Sequence, residues 1–132
     1  MENERLVAWT KYVGLVVAIT GQAAIIAVHE YPQLDTPGTL LWAIGTYAGL
    51  AALGLVTVGT LAYTWTQGRW PVPTRVGWSV AMVVAGAADV WVAVQAGELT
   101  WVLYIAGLVH LFCVYGLLFV EDDQPAPDES SS

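Results

Sequence analysis

Charged residues are scarce in this sequence, and basic residues are scarcer still. Of the 132 residues, 11% are charged, with 4 lysines and arginines against 11 aspartates and glutamates. Soluble domains carry roughly a quarter charged residues, so the composition excludes an ordinary water-soluble domain. The formal charge of -7 would repel nucleic acid, which we exclude as a partner. Little lysine and an acidic C-terminal end are a haloarchaeal-like composition, typical of halophilic archaea.

Residue types that hold metals, cofactors or catalytic groups are also few. The single cysteine, Cys113, excludes an internal disulfide and a cysteine metal cluster. His29 and His110 are the two histidines, and their depths in the membrane differ by roughly 16 Å at 1.5 Å per residue. They cannot ligate one haem iron within a single chain, although a haem shared between subunits stays open. We therefore predict no cofactor, no metal site and no catalytic residues, and we do not expect an enzyme.

Long apolar segments, in contrast, fill most of the chain. They cover about residues 6–28, 39–65, 76–96 and 99–120. Because about 20 apolar residues in a helix cross the hydrocarbon of a bilayer, the sequence predicts an all-α membrane protein. Residues 1–120 are expected to form a four-transmembrane-helix bundle with short loops. Residues 121–132 are acidic and contain two prolines and three terminal serines, which predicts a disordered acidic tail.

The basic residues predict the orientation of this bundle. All four lie on one side of the predicted membrane: Arg5 and Lys11 near the start of the first span, and Arg69 and Arg75 between the second and third spans. Because basic loops stay in the cytoplasm, both termini and the middle loop are predicted to be cytoplasmic, in a multi-pass protein of the plasma membrane. Aromatic residues form the expected belts, with Trp9, Trp65, Trp70 and Trp78 at the inner interface and Tyr31, Trp42 and Trp101 at the outer one.

Small residues at fourfold spacing predict which helix faces pack together. Helices in lipid associate where small residues let their backbones approach. The stripe of the third span consists of Gly77, Ala81, Ala85, Asp89, Ala93 and Gly97. The first span has a shorter stripe, which consists of Gly14, Ala18 and Gln22. The second span has a glycine pair, Gly45 and Gly49. Asp89 and Gln22 are therefore predicted to face protein rather than lipid.

Four polar residues are candidates for an intramembrane polar cluster. Gln22, Tyr47 and Asp89 lie roughly 10–12 Å below the outer ends of their spans, and His110 lies roughly 16 Å below, so they could meet in one layer. A charge in the bilayer costs several kcal/mol, so Asp89 should be protonated or paired with a donor such as His110. Such a pair fits a proton-linked transporter or a ligand site; the alternative is interhelical hydrogen bonding that fixes the helix register.

Two functional hypotheses follow from these features. We favour a small accessory or assembly subunit embedded beside a larger membrane complex, because four short-looped helices with few polar groups suit packing better than substrate processing. The alternative is a small proton-linked transporter or ligand sensor that uses Asp89 and His110. The expected partners are the lipid bilayer and either other membrane subunits or further copies of the chain.

Overall fold

The computed structural model describes residues 2–30, 39–95 and 99–120, and for residues 2–4 it describes the backbone alone. These ranges form four long α-helices: α1 (Glu2–Glu30), α2 (Leu40–Gln67), α3 (Val72–Gln95) and α4 (Thr100–Tyr115), which continues into a π-helical turn over Gly116–Val120. All four are long and apolar enough to cross a membrane. The predicted all-α four-helix architecture is thus confirmed for the described ranges. The predicted disordered tail, residues 121–132, lies outside them.

The third helix begins four residues before the predicted span, at Val72 rather than at about residue 76. Pro73 falls in its first turn, where a missing backbone N–H leaves no hydrogen bond unmade. Arg75, also in that turn, donates from Nη2 to the carbonyl oxygens of Gly68 at 3.0 Å and Trp70 at 2.8 Å. The two prolines indicated a longer loop, but Pro73 lies within the first turn of α3, and Arg75 holds the short connection against the start of the helix by hydrogen bonds.

The bundle consists of two helical hairpins, because α1 packs most extensively on α2 and α3 on α4. We call these the first and second hairpins. The second helix begins with a side-chain cap, in which Thr39 Oγ1 accepts a hydrogen bond from the Trp42 amide at 3.2 Å. Such a cap satisfies one of the backbone N–H groups that a helix start leaves without a partner.

Glycines bring the two backbones of the first hairpin into contact. A Cβ atom at position 49 would lie 2.7 Å from the carbonyl oxygen of Gly21 and 2.6 Å from Ile25 Cγ1. A Cβ atom at position 45 would lie 2.5 Å from Val28. The predicted Gly45 and Gly49 pair is thus confirmed as the contact surface of α2 against α1.

The small-residue stripe of α3 faces the bundle over only part of its length. Ala85, Asp89 and Ala93 are buried, whereas Gly77 and Ala81 are exposed. A spacing of four drifts around a helix that has 3.6 residues per turn, so the fourfold stripe leaves the interface toward the start of α3. Asp89 is 1% exposed, which confirms the prediction that it faces protein.

Aromatic rings close the end of the bundle at which α3 begins. The Trp78 ring stacks on Phe112 with centroids 5.5 Å apart and packs against Trp70 at 5.0 Å. A side chain at position 116 would overlap the Trp78 ring. Glycine at this position, directly after α4, therefore leaves room for the ring to pack there. At the same end, Lys11 Nζ lies 3.5 Å from the Tyr63 hydroxyl oxygen.

Substituting Gly49 with alanine should destabilise the bundle. The added methyl group would meet the backbone of Gly21, and overpacking of this kind costs about 1–3 kcal/mol. We expect the free energy of unfolding, measured by titrating the protein in mild detergent with sodium dodecyl sulfate, to fall by that amount. Gly54→Ala on the same helix is the matched control, because a Cβ atom at position 54 would have nothing within 4 Å. Equal effects of the two substitutions would contradict the glycine contact.

Candidate functional site

Gln22 joins three helices in the interior of the bundle. Its side-chain Nε2 donates to Asp89 Oδ1 at 3.1 Å and to the carbonyl oxygen of Leu103 at 3.0 Å. Both amide hydrogens are therefore used, one toward α3 and one toward α4. Gly107 makes room for this amide group, since a Cβ atom there would lie 2.5 Å from Gln22 Cδ.

His29 makes a second connection from α1 to α3. Its Nδ1 lies 2.8 Å from the carbonyl oxygen of Ile25, one turn earlier in the same helix, and its Nε2 lies 2.8 Å from the carbonyl oxygen of Ala93. Carbonyl oxygens only accept, so the two bonds form together only when both ring nitrogens carry a hydrogen. Ala93 lies one turn beyond Asp89 on the same helix. The buried acid thus has a buried histidine near it, but this histidine is not His110.

His110 bonds to α2. The Thr57 hydroxyl group donates to the carbonyl oxygen of Leu53 at 2.8 Å, and Thr57 Oγ1 lies 2.7 Å from His110 Nε2. A hydroxyl group has one hydrogen. Because Leu53 takes it, His110 Nε2 must carry the hydrogen of the second bond and donate to Thr57. This geometry assigns the ring tautomer and fixes α4 to α2.

The structure brings together some members of the predicted cluster and separates others. Gln22 and Asp89 are bonded to each other, whereas His110 has Thr57 as its partner instead of Asp89. Tyr47 is 56% exposed and sets the edge of its ring against Trp42, with centroids 6.2 Å apart, so it lies outside the layer. The direct pairing of Asp89 with His110, expected from their depths, is thus wrong for the side chains as the structure places them.

His29 and Thr57 belong to this group of hydrogen-bonded side chains but were not among the residues predicted from the sequence. His29 lies one residue beyond the predicted first span, about residues 6–28, yet it continues the buried stripe of α1 at helical spacing after Gln22 and Ile25. That spacing could have found it. Thr57 has no comparable signal, because threonines occur throughout α2 on both buried and exposed faces.

The buried side chains just described make four hydrogen bonds between helices, and each of the four runs from the first hairpin to the second. We call the side chains that make them the polar layer; they are Gln22, His29, Thr57, Asp89 and His110. In lipid, interhelical hydrogen bonds contribute about 1 kcal/mol or less each. Because each bond joins a residue of the first hairpin to a residue of the second, the four bonds together determine how the two hairpins are rotated and shifted against each other.

Three atoms of the polar layer have no hydrogen-bond partner within the described part of the chain: Gln22 Oε1, Asp89 Oδ2 and His110 Nδ1. With Asp89 ionised and the His110 hydrogen on Nε2, all three are acceptors. The layer can therefore take up a proton. Among the same described residues, no group of three or more histidine, cysteine or acidic side chains is placed to hold a metal ion.

Comparison with known proteins does not assign the chain to a family. No protein-family model matches it, and neither a curated protein nor a solved structure shows significant similarity to it.

The bond between Gln22 and Asp89 should be measurable as an energetic coupling. In a double-mutant cycle of Gln22→Ala and Asp89→Ala, we expect the two changes in unfolding free energy to differ from additivity by about 1 kcal/mol. Unfolding would be followed by circular dichroism during titration with sodium dodecyl sulfate.

A control cycle pairs Gln22→Ala with Ser79→Ala. Ser79 is buried in the same helix as Asp89 but lies ten residues before it, about 15 Å along the axis. That cycle should be additive within about 0.5 kcal/mol. Coupling that is equally large in both cycles would argue against a specific bond.

Proposed function

We propose that this chain is a small multi-pass subunit that packs in the bilayer beside a larger membrane complex or helps to assemble it. The observation that carries the proposal is an apolar groove on the outer surface between α3 and α4. Its volume is about 420 Å³, and its lining includes four alanines as well as larger side chains such as Trp101. The alanines are Ala81, Ala85, Ala88 and Ala106.

A transmembrane helix is the occupant that suits this groove. Small residues let a partner backbone approach closely, and close approach is what holds helices together in lipid. The lining is almost entirely hydrocarbon, so a hydrophilic ligand would lose its hydration without gaining hydrogen bonds. An apolar helix loses nothing of this kind when it replaces lipid in the groove.

The polar layer supports the same proposal. Gln22, Asp89 and His110 are at most 4% exposed, and their bonds connect helices of the chain itself. The outward faces of the helices are dominated by large apolar side chains such as Trp91, which is 63% exposed. A molecule with its polar groups inside and apolar groups outside suits contact with lipid and with other transmembrane helices.

We further propose that the protein resides in the plasma membrane with both termini in the cytoplasm. The support is the distribution of basic residues: Arg5, Lys11, Arg69 and Arg75 lie at one end of the bundle, near the start of α1 and around the connection between α2 and α3. Arg75 is bonded to this connection, so its charge stays there. Basic groups near the ends of transmembrane helices favour the cytoplasmic side.

Filling the groove should release the chain from its complex. Ala81 is exposed and lies in the groove, so Ala81→Phe would occupy the space of a partner helix while leaving the interior of the bundle unchanged. We expect native membranes solubilised in mild detergent to give a large assembly containing the unaltered chain, and Ala81→Phe to shift it to its own mass on native electrophoresis. Ala51→Phe is the matched control, at an exposed alanine of α2 outside the groove.

One outcome would favour a small proton-linked transporter or ligand sensor instead. The unpartnered acceptors of Asp89, Gln22 and His110 are the observation in its favour. If the chain ran alone or as a homo-oligomer and showed pH-dependent uptake that Asp89→Asn abolished, the subunit proposal would be wrong.

The proposed orientation can be tested with single cysteines in a Cys113→Ala background. Arg69 lies in the connection between α2 and α3, and Leu99 lies just before α4 at the opposite end. In intact cells, a membrane-impermeant maleimide should label Leu99→Cys but not Arg69→Cys, because only the former faces outward in this orientation. Opening the cells should make both reactive. Labelling of Arg69→Cys alone in intact cells would invert the topology.

A further inference from the structure

A second cavity lies between α2 and α3, the neighbouring helices that belong to different hairpins. Its volume is about 330 Å³, and its lining includes Val58 and Gly54 of α2 and Val83 and Gly86 of α3. This size lies within the range of roughly 300–1,000 Å³ that is typical of ligand sites. The lining residues fall near the middle of both helices, which corresponds to the middle of a bilayer that these helices would cross.

Two glycines open this cavity. A Cβ atom at position 54 would have nothing within 4 Å, so the space beside Gly54 is unfilled. A Cβ atom at position 86 would stand 3.5 Å from Cδ2 and 3.8 Å from Nε2 of His110. The ring edge that carries Nε2 is therefore directed toward Gly86, itself a lining residue.

Thr57 and His110 are the polar side chains of this lining. The Thr57 hydroxyl group donates to the carbonyl oxygen of Leu53, and His110 Nε2 donates to Thr57 Oγ1. Neither group has a hydrogen left to offer without breaking a bond. The Thr57 oxygen, however, can accept two hydrogen bonds, and the bond from His110 uses only one of them.

We propose that this cavity binds an elongated apolar molecule from the bilayer that carries a hydroxyl group, and that the hydroxyl group donates a hydrogen bond to Thr57 Oγ1. The apolar walls accept the hydrocarbon part. A few placed polar groups in an apolar cavity are what orients ligands in such sites. A hydroxyl group fits the remaining acceptor position on Thr57, whereas a ketone, which only accepts, does not.

The test uses photolabelling of the full chain in lipid nanodiscs. The probe is hexadecanol with a diazirine in its chain, and the comparison probes are the methyl ether and the ketone of the same chain. Labelled positions are mapped by mass spectrometry. We expect the alcohol to label residues 50–58 and 83–90 about fivefold more than either comparison probe, which is the ratio expected for one hydrogen bond. Equal labelling by the ether or by the ketone would overturn the proposal.

Substitutions in the cavity separate binding from general contact with lipid. Thr57→Val keeps the shape of the side chain and should remove the preference for the alcohol, while Thr57→Ser should retain it. Gly54→Leu should fill the cavity and reduce alcohol labelling there to the level of the ether. Gly77→Leu is the control, at an exposed glycine of α3 that also has nothing within 4 Å of a Cβ atom, and should leave labelling unchanged. Persistence of full alcohol labelling in Gly54→Leu would refute the site.

Discussion

Lipid hydrocarbon is as apolar as a leucine side chain, so transmembrane helices gain little by burying apolar surface against each other. Whatever holds such a bundle together must come from close packing and from hydrogen bonds. In this protein the closest backbone packing and the hydrogen bonds of the polar layer lie at different interfaces. Within the first hairpin, Gly21, Gly45 and Gly49 bring backbones into contact. Between the hairpins, the polar layer supplies four hydrogen bonds, which set the register of one hairpin against the other.

Two of the bonds in this layer end on backbone carbonyl oxygens, those of Ala93 and Leu103. A carbonyl oxygen is present at every residue, so these contacts do not depend on a matching side chain in the second hairpin. They do depend on the carbonyl group being within reach, and Gly107 provides that for the Gln22 amide. The glycine and the glutamine therefore act as a pair although no hydrogen bond connects them.

The sequence predicts where the helices lie along the chain, but it says less about which side chains of different helices contact each other. Hydropathy and length predict four helices, and small-residue spacing predicts that Asp89 is buried. The rotation of each helix is harder to predict, because one residue corresponds to about 100°. Tyr47 illustrates this: it has a suitable depth but is exposed, whereas the adjacent Thr46 is fully buried. His110 likewise has a depth close to that of Asp89, but its partner depends on how α4 faces α2, and no local pattern encodes that.

The four interhelical bonds of the polar layer all join one hairpin to the other, and this has a consequence for how the protein is made. The chain is synthesised from its N-terminus, so α1 and α2 are complete before α3 and α4 emerge. At that stage Gln22 has neither of its acceptors, while His29 and Thr57 already have one each in their own helices, at Ile25 and Leu53. A newly inserted first hairpin thus carries the Gln22 amide group with neither of its two hydrogen bonds made. Both bonds can form only once the second hairpin packs against the first, and a chain interrupted halfway would leave that amide group without them.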